Sequence, residues 1–144
     1  HIKGLETNLF LYSQSDTEQA LVGYNAFLKW EAEYKPEYLQ TELPLVSKIA
    51  NYGGTIDIVI RLNNSLGILD LKTSKAVYQE YIIQIAAYRQ LYVENFGKLD
   101  FCSILKLDKA TGSYEYHTYS DTQLNNAYVA FTCCLVLHNL RKEF

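Results

Sequence analysis

Asp57, Asp70, Lys72, Gln84 and Tyr88 are the residues of this chain whose types and spacing could do chemistry together. They stand in the segments Gly54-Thr55-Ile56-Asp57, Leu69-Asp70-Leu71-Lys72-Thr73 and Gln84-Ile85-Ala86-Ala87-Tyr88. In a strand, residues i and i+2 point to one face, about 6.6–6.8 Å apart. Asp70 and Lys72 would therefore share a face, with Leu69 and Leu71 turned the other way into a core. In the preceding apolar run, Ile56, Ile58 and Ile60 make one face and place Asp57 opposite them. Hairpin pairing of the two runs would then bring Asp57 beside Asp70. Carboxylates that close raise each other's pKa unless a cation intervenes. A hard divalent ion is the natural occupant, and Mg2+ keeps several of its own waters. Such an ion lowers the pKa of a bound water and polarises a phosphate, while a lysine orients the nucleophile and stabilises charge in the transition state. The chemistry these residues suggest is metal-dependent hydrolysis of a phosphodiester.

Each piece also has a plainer reading. An acid and a lysine on one strand face are often a solvated charge pair, and Asp57 alone could cap a turn. What separates this case is the setting, since both acids sit in apolar strands where an unpaired charge is costly. Gln84 and Tyr88 are spaced i, i+4 on a helix and share a face. Their apolar neighbours leave two options: a core hydrogen bond, or a position facing a cleft.

The elements that must position these residues follow from periodicity and punctuation. His1–Tyr12 has mixed apolar spacing compatible with a helix already under way. Ser15-Asp16-Thr17-Glu18 has the form of a capping box, and Leu21, Tyr24, Phe27 and Leu28 then mark a helix to about Glu33 that exits at Pro36. Strands are expected at 39–49, 55–62 and 66–73, with turns at Asn51-Tyr52-Gly53-Gly54 and Asn63-Asn64-Ser65, forming an antiparallel meander. Residues 78–96 lack Gly and Pro and predict a long helix closed by Gly97. Strands at 99–108 and 113–119 flank a turn at Thr111-Gly112. Ser120-Asp121-Thr122-Gln123 is a second capping box, and Leu124, Ala127, Tyr128, Phe131 and Leu135 mark one face of a closing helix. The order predicts an α/β (α+β) domain with a central mixed β-sheet of about five strands flanked by helices.

The bulk properties agree with a single domain over residues 1–144. Hydrophobic residues make up 49% and charged residues 20%, ordinary values for a globular chain. The net charge of −3 excludes a broadly basic nucleic-acid magnet, so a site of this kind must rely on a bound cation and local lysines. Lys48, Lys75 and Arg89 flank the motif segments and are either phosphate contacts or solvated surface charges. The three cysteines, Cys102, Cys133 and Cys134, show no C-x-x-C spacing and no disulfide framework. Cys133 and Cys134 lie in an apolar run and are expected to be buried. No stretch reaches the roughly 18–20 apolar residues of a membrane span, and no signal-peptide pattern is visible, so a cytoplasmic, membrane-free protein is expected. No P-loop appears, and no nucleotide cofactor is expected. The sequence begins at His1 without methionine, which leaves room for a missing N-terminal segment.

The ordered set G-x-x-D (Gly54 to Asp57), D-x-K-T (Asp70 to Thr73) and Q-x-x-x-Y (Gln84 to Tyr88) resembles the PD-(D/E)XK nucleases, in particular their RecB-like exonuclease branch. The match covers about the central third of the chain closely. The resemblance implies a restriction-endonuclease-like core, Asp57 and Asp70 as ligands of Mg2+ or Mn2+, and Lys72 as the catalytic lysine. It implies that Gln84 and Tyr88 line the active site or contact the DNA strand, with Thr73 a further substrate-binding residue. His1-Ile2-Lys3-Gly4-Leu5-Glu6 is similar to the family's upstream histidine segment, which makes His1 a candidate third metal ligand. Glu42 resembles an acid found at the start of the first strand in relatives, supporting the site from behind its ligands. Some relatives carry a four-cysteine iron–sulfur cluster; three unsuitably spaced cysteines predict none here.

By this resemblance the expected activity is a metal-dependent DNA exonuclease in recombination, repair or phage replication. Two alternatives stand beside it: a structure-specific or restriction-type endonuclease, and a catalytically inactive nuclease-fold module that binds DNA or protein. DNA is the expected partner. A homo-oligomer or a recombination-protein partner is a further option, because the domain is small to enclose DNA alone.

Overall fold

The computed structural model describes residues 14–143. Within them the chain runs α1 (Gln14–Tyr34), β1 (Glu37–Ser47), β2 (Tyr52–Leu62), β3 (Ser65–Lys72), α2 (Gln79–Phe96), β4 (Phe101–Leu107), β5 (Tyr114–Thr118) and α3 (Asp121–Arg141). The five strands form one sheet in sequence order. Strands β1, β2 and β3 are the antiparallel meander read from the sequence. β4 runs parallel to β3, reached through α2, and β5 returns antiparallel. The sheet is therefore mixed, as expected.

Its two faces are covered by different helices. Ala26, Phe27 and Trp30 of α1 pack with Ile58, Ile60, Leu69, Leu105 and Leu107 on one face. Ile85, Ala86 and Tyr92 of α2 and Leu124 and Ala127 of α3 pack with Val59, Ile68, Cys102 and Ile104 on the other. The closed β2–β3 connection is a two-residue turn with Asn63 at φ 48 and Asn64 at φ 68, the left-handed pair that matches hairpin twist. α2 ends at Gly97, whose φ of 95 and N–H bond to the Val93 carbonyl close the helix as predicted. At the start of α3, Ser120 and Gln123 complete their capping box reciprocally.

Several sequence-based expectations need correction. Ser15 lies inside α1, which already includes Gln14, so it does not cap that helix. The buried stripe of α1 runs through Ala26, Phe27 and Trp30, whereas Leu21 is exposed. Tyr52, Gly53 and Gly54 are not a turn: they extend β2 and pair with Ser47, Val46 and Leu45. The turn sits earlier, at 48–51, with Asn51 at φ 57 and the Ser47 side chain accepting the Ala50 N–H. Cys133 and Cys134 are exposed rather than buried. Only the N-terminal half of α3 supplies fully buried residues, Leu124 and Ala127, and its outer face carries the two thiols with Val129, Val136, Leu137 and Leu140. His1 and its neighbours lie outside the described residues. No described helix is long and apolar enough to cross a membrane.

Candidate active site

The site begins with an irregularity in the sheet. Thr41 pairs with Ile58 and Leu43 with Ile56, and the ladder skips Glu42 and Asp57 between them. Ile58 and Ile60 belong to the core under α1, but Ile56 belongs to the core under α2 and α3. The three isoleucines thus do not share one face, as period-2 alternation had predicted. Alternation breaks at Asp57 and at its counterpart Glu42, which is held at φ 51. Freed from the ladder, Asp57 accepts the Leu71 N–H through Oδ2 at 2.9 Å, a side chain taking up a strand donor just past the last β2–β3 pair, Ile58 with Leu69. One step beyond that pair Asp57 comes opposite Asp70.

Asp70 is 3% exposed. Burial raises its carboxyl to about 6; Lys72 opposes that rise and the nearby Asp57 adds to it. Lys72 Nζ stands 2.9 Å from Asp70 Oδ2 as an ion pair, so the buried carboxylate is met by an ammonium on one side and by the Asp57 carboxylate nearby. Leu69 and Leu71 pack on the α1 side, as alternation requires.

α2 holds the lysine from the other side. Lys72 Nζ donates to Gln84 Oε1 at 2.7 Å, and Gln84 Nε2 donates to the Tyr88 hydroxyl at 2.9 Å. The same ammonium lies 4.7 Å from the ring centroid of Tyr81, a cation–π contact. Burial, and next to it the charge of Asp70, push the Tyr88 phenol above its ordinary pKa, so it stays protonated at neutral pH. Gln84 is therefore neither a plain core residue nor idle in a cleft: it fixes the lysine's direction. Tyr81 was not singled out from the sequence, although its i, i+3, i+7 spacing with Gln84 and Tyr88 puts all three on one helix stripe. Lys106 was missed too. It is buried in β4, paired in register with Lys72, and lies 3.6 Å from Glu115; a lysine inside the apolar run Phe101–Leu107 was its signal.

Gly54 explains its own place in the motif. A Cβ there would stand 2.7 Å from Tyr88 Cε1, so the strand admits the tyrosine ring only with glycine. Gly54→Ala is expected to destabilise the fold by about 1–3 kcal/mol through overpacking, because Tyr88 is pinned by Gln84. Urea unfolding checks this, and the cost should largely vanish in a Tyr88→Ala background. An unchanged midpoint in the single variant would mean that the ring swings aside freely.

Lys72, Gln84 and Tyr88 also line a cleft of about 700 Å³ with Tyr52, Gly54, Tyr81 and Phe131. Thr73 is not brought to it; with Lys75 it lines a separate cavity beside Gln19 and Asp108. Glu42 is exposed on β1. Arg89 is engaged by Asp121 at 3.6 Å and Asn125 at 3.2 Å, and Lys48 lies exposed in the β1–β2 turn.

Two adjacent carboxylates, one of them buried and raised in pKa by burial and by its neighbour, fit a hard divalent cation that completes its shell with water. Among the described residues no three His, Cys, Asp or Glu side chains converge, and His1, the third ligand implied by the resemblance, lies outside them.

Solved structures resemble the chain to different degrees. A provisionally assigned exonuclease from Eubacterium rectale aligns over 88% of this chain with a TM-score of 0.63 at 14% sequence identity, and the chain spans 55% of that structure's length. An alkaline exonuclease from Laribacter hongkongensis aligns over 85% of this chain and 70% of its own, with a TM-score of 0.44 and 15% identity. No protein-family model and no curated protein sequence matches the chain. The likeness to the Eubacterium rectale structure establishes a common fold.

Proposed function

We propose that this chain is a Mg2+- or Mn2+-dependent deoxyribonuclease of the PD-(D/E)XK type, acting as an exonuclease on DNA ends. The observation that carries the reading is the meeting of Asp57 and Asp70 across β2 and β3 with Lys72 Nζ 2.9 Å from Asp70. The shared fold with a provisionally assigned exonuclease supports it. A divalent ion held by Asp57 and Asp70 would supply an acidified water and a polarised phosphate. The chain's own residues do the rest. Asp57, tied to the Leu71 N–H, keeps one oxygen directed by the backbone. Lys72, aimed by Gln84 and backed by the Tyr81 ring, presents its ammonium where charge develops on the phosphate oxygens. Tyr88 fixes Gln84, so the lysine's geometry is set before substrate arrives. A role in recombination, repair or phage replication belongs to the same proposal.

The test is digestion of end-labelled linear DNA and closed circular DNA with Mg2+, Mn2+ or EDTA. Cleavage of linear DNA alone, lost in EDTA, is the expected result. Cutting of the closed circle would redirect the reading to an endonuclease. A second reading, a nuclease-fold module that binds without cutting, is favoured by one observation: only two acids meet among the described residues. Turnover of neither DNA by a chain that still binds it would establish that alternative.

A further inference from the structure

We infer that the cleft between β2, α2 and α3 receives unpaired nucleobases of the strand whose phosphodiester lies at Asp57, Asp70 and Lys72; this rests on the proposed nuclease function and names its substrate as single-stranded or frayed DNA. The cleft is continuous with the carboxylate site, because Lys72, Gln84 and Tyr88 belong to both. Away from them its walls are mostly aromatic and apolar. Tyr52 of β2 and Phe131 of α3 pack against each other there, ring centroids 4.7 Å apart and planes tilted by 58°, and Tyr81, Ile83 and Leu135 line the cleft beside them. Lys72 and Glu80 are the charged residues lining it.

Such a cavity is poorly made for a phosphate backbone and well made for π-faces. The neighbouring cations turn elsewhere: Arg89 to Asp121, Lys106 to Glu115, and Lys75 to the separate cavity near Thr73. Base–aromatic stacking tolerates any sequence, since every base has a π-face. It is closed to a duplex whose bases are already stacked and paired. A scissile phosphate drawn to Lys72 would put the adjoining bases at the aromatic walls, so strand separation at an end would precede cleavage.

The experiment is fluorescence anisotropy in EDTA, where no cleavage occurs, with the intact chain and three probes of equal length. These are labelled oligodeoxythymidylate, the same strand carrying tetrahydrofuran abasic sites, and a blunt duplex. The base-bearing strand is expected to bind about tenfold more tightly than the abasic strand, although the two carry the same charge, and more tightly than the duplex. Phe131→Ala should collapse that difference; if this variant does not fold, the comparison of strands on the unaltered chain still decides. Equal affinity for the two strands, binding to neither, or preference for the duplex would overturn the inference. Base discrimination without cleavage in Mg2+ or Mn2+ would uphold the cleft and sink the nuclease reading, and cleavage without discrimination would do the reverse.

Discussion

Lys72→Ala is expected to lower metal-dependent DNA cleavage by about 10²–10³-fold, the usual loss when one preorganised donor to a developing oxyanion is removed. Among the described residues Lys72 is the cation paired with Asp70. Lys106, its register neighbour, is buried and paired with Glu115, and the groups around the ammonium, Asp70, Gln84 and Tyr81, are arranged to aim it. Lys72→Arg should not fully rescue, because a guanidinium spreads its charge and would pair with Asp70 and stack on Tyr81, where the compact ammonium offers a single localised charge to the phosphate. A second readout separates this role from a merely structural one. Protonated Asp70 cannot hold a cation, so cleavage should fall as pH drops through about 6, the value to which burial lifts its carboxyl. More divalent ion should move that limb to lower pH, since ion and proton compete for the same oxygen. Lys72 pulls the Asp70 carboxyl down, so any residual activity of Lys72→Ala should lose its acid limb at higher pH than the wild type. Rates across pH 5–9 at two Mn2+ concentrations would measure all of this, and full cleavage by a folded Lys72→Ala would refute the assigned role.

How far the sequence carried this site depends on which residues are considered. Asp70 and Lys72 were legible because alternation in β3 is regular: Leu69 and Leu71 take one face and leave the charged pair on the other. Gln84 and Tyr88 were legible as a helix stripe, but their work was not, since a propensity argument cannot see that an amide will bridge an ammonium and a phenol. Asp57 reaches Asp70 by a route that strand periodicity does not describe. Unbroken alternation would put Ile56, Ile58 and Ile60 on one face, whereas the strand reverses its facing at Asp57. A local break of this kind depends on the partner strand, where Glu42 takes a positive φ, and no single run of residues records it. Gly53 and Gly54 misled for a related reason. Their low strand propensity reads as a turn, yet tertiary packing decides: the missing Cβ of Gly54 is what lets Tyr88 approach. The same limit explains Cys133 and Cys134. Apolar neighbours suggested burial, but burial belongs to the helix face that meets α2, and these residues lie off it.

Asp70→Asn is expected to remove cleavage and, in the absence of metal, to make the protein more stable at neutral pH. The carboxyl is buried in β3, in register with Ile104 of β4, and among the described residues Lys72 is the cation paired with it. Its pKa rises from 3.8 when exposed to about 6 in the fold. Between those values the native state binds more protons than the unfolded state, so stability declines as pH rises through the window. The penalty is absent below pH 3.8 and complete above about 6, where a difference of this size corresponds to about 3 kcal/mol. Asparagine keeps the shape and loses the charge, and in EDTA at pH 8 should therefore gain on the order of that amount, a gain that shrinks as pH falls towards 4. Adding Mn2+ should reverse the ranking. An ion that binds only the folded wild type stabilises it by RT ln(1 + [L]/Kd), while the variant, one carboxylate short, should respond weakly. Urea titrations of both proteins at pH 4, 6 and 8, with and without Mn2+, would read the whole pattern. A variant less stable than the wild type in EDTA at pH 8, or equal stabilisation of both by Mn2+, would show that Asp70 is a structural ion-pair residue rather than a strained ligand kept for its chemistry.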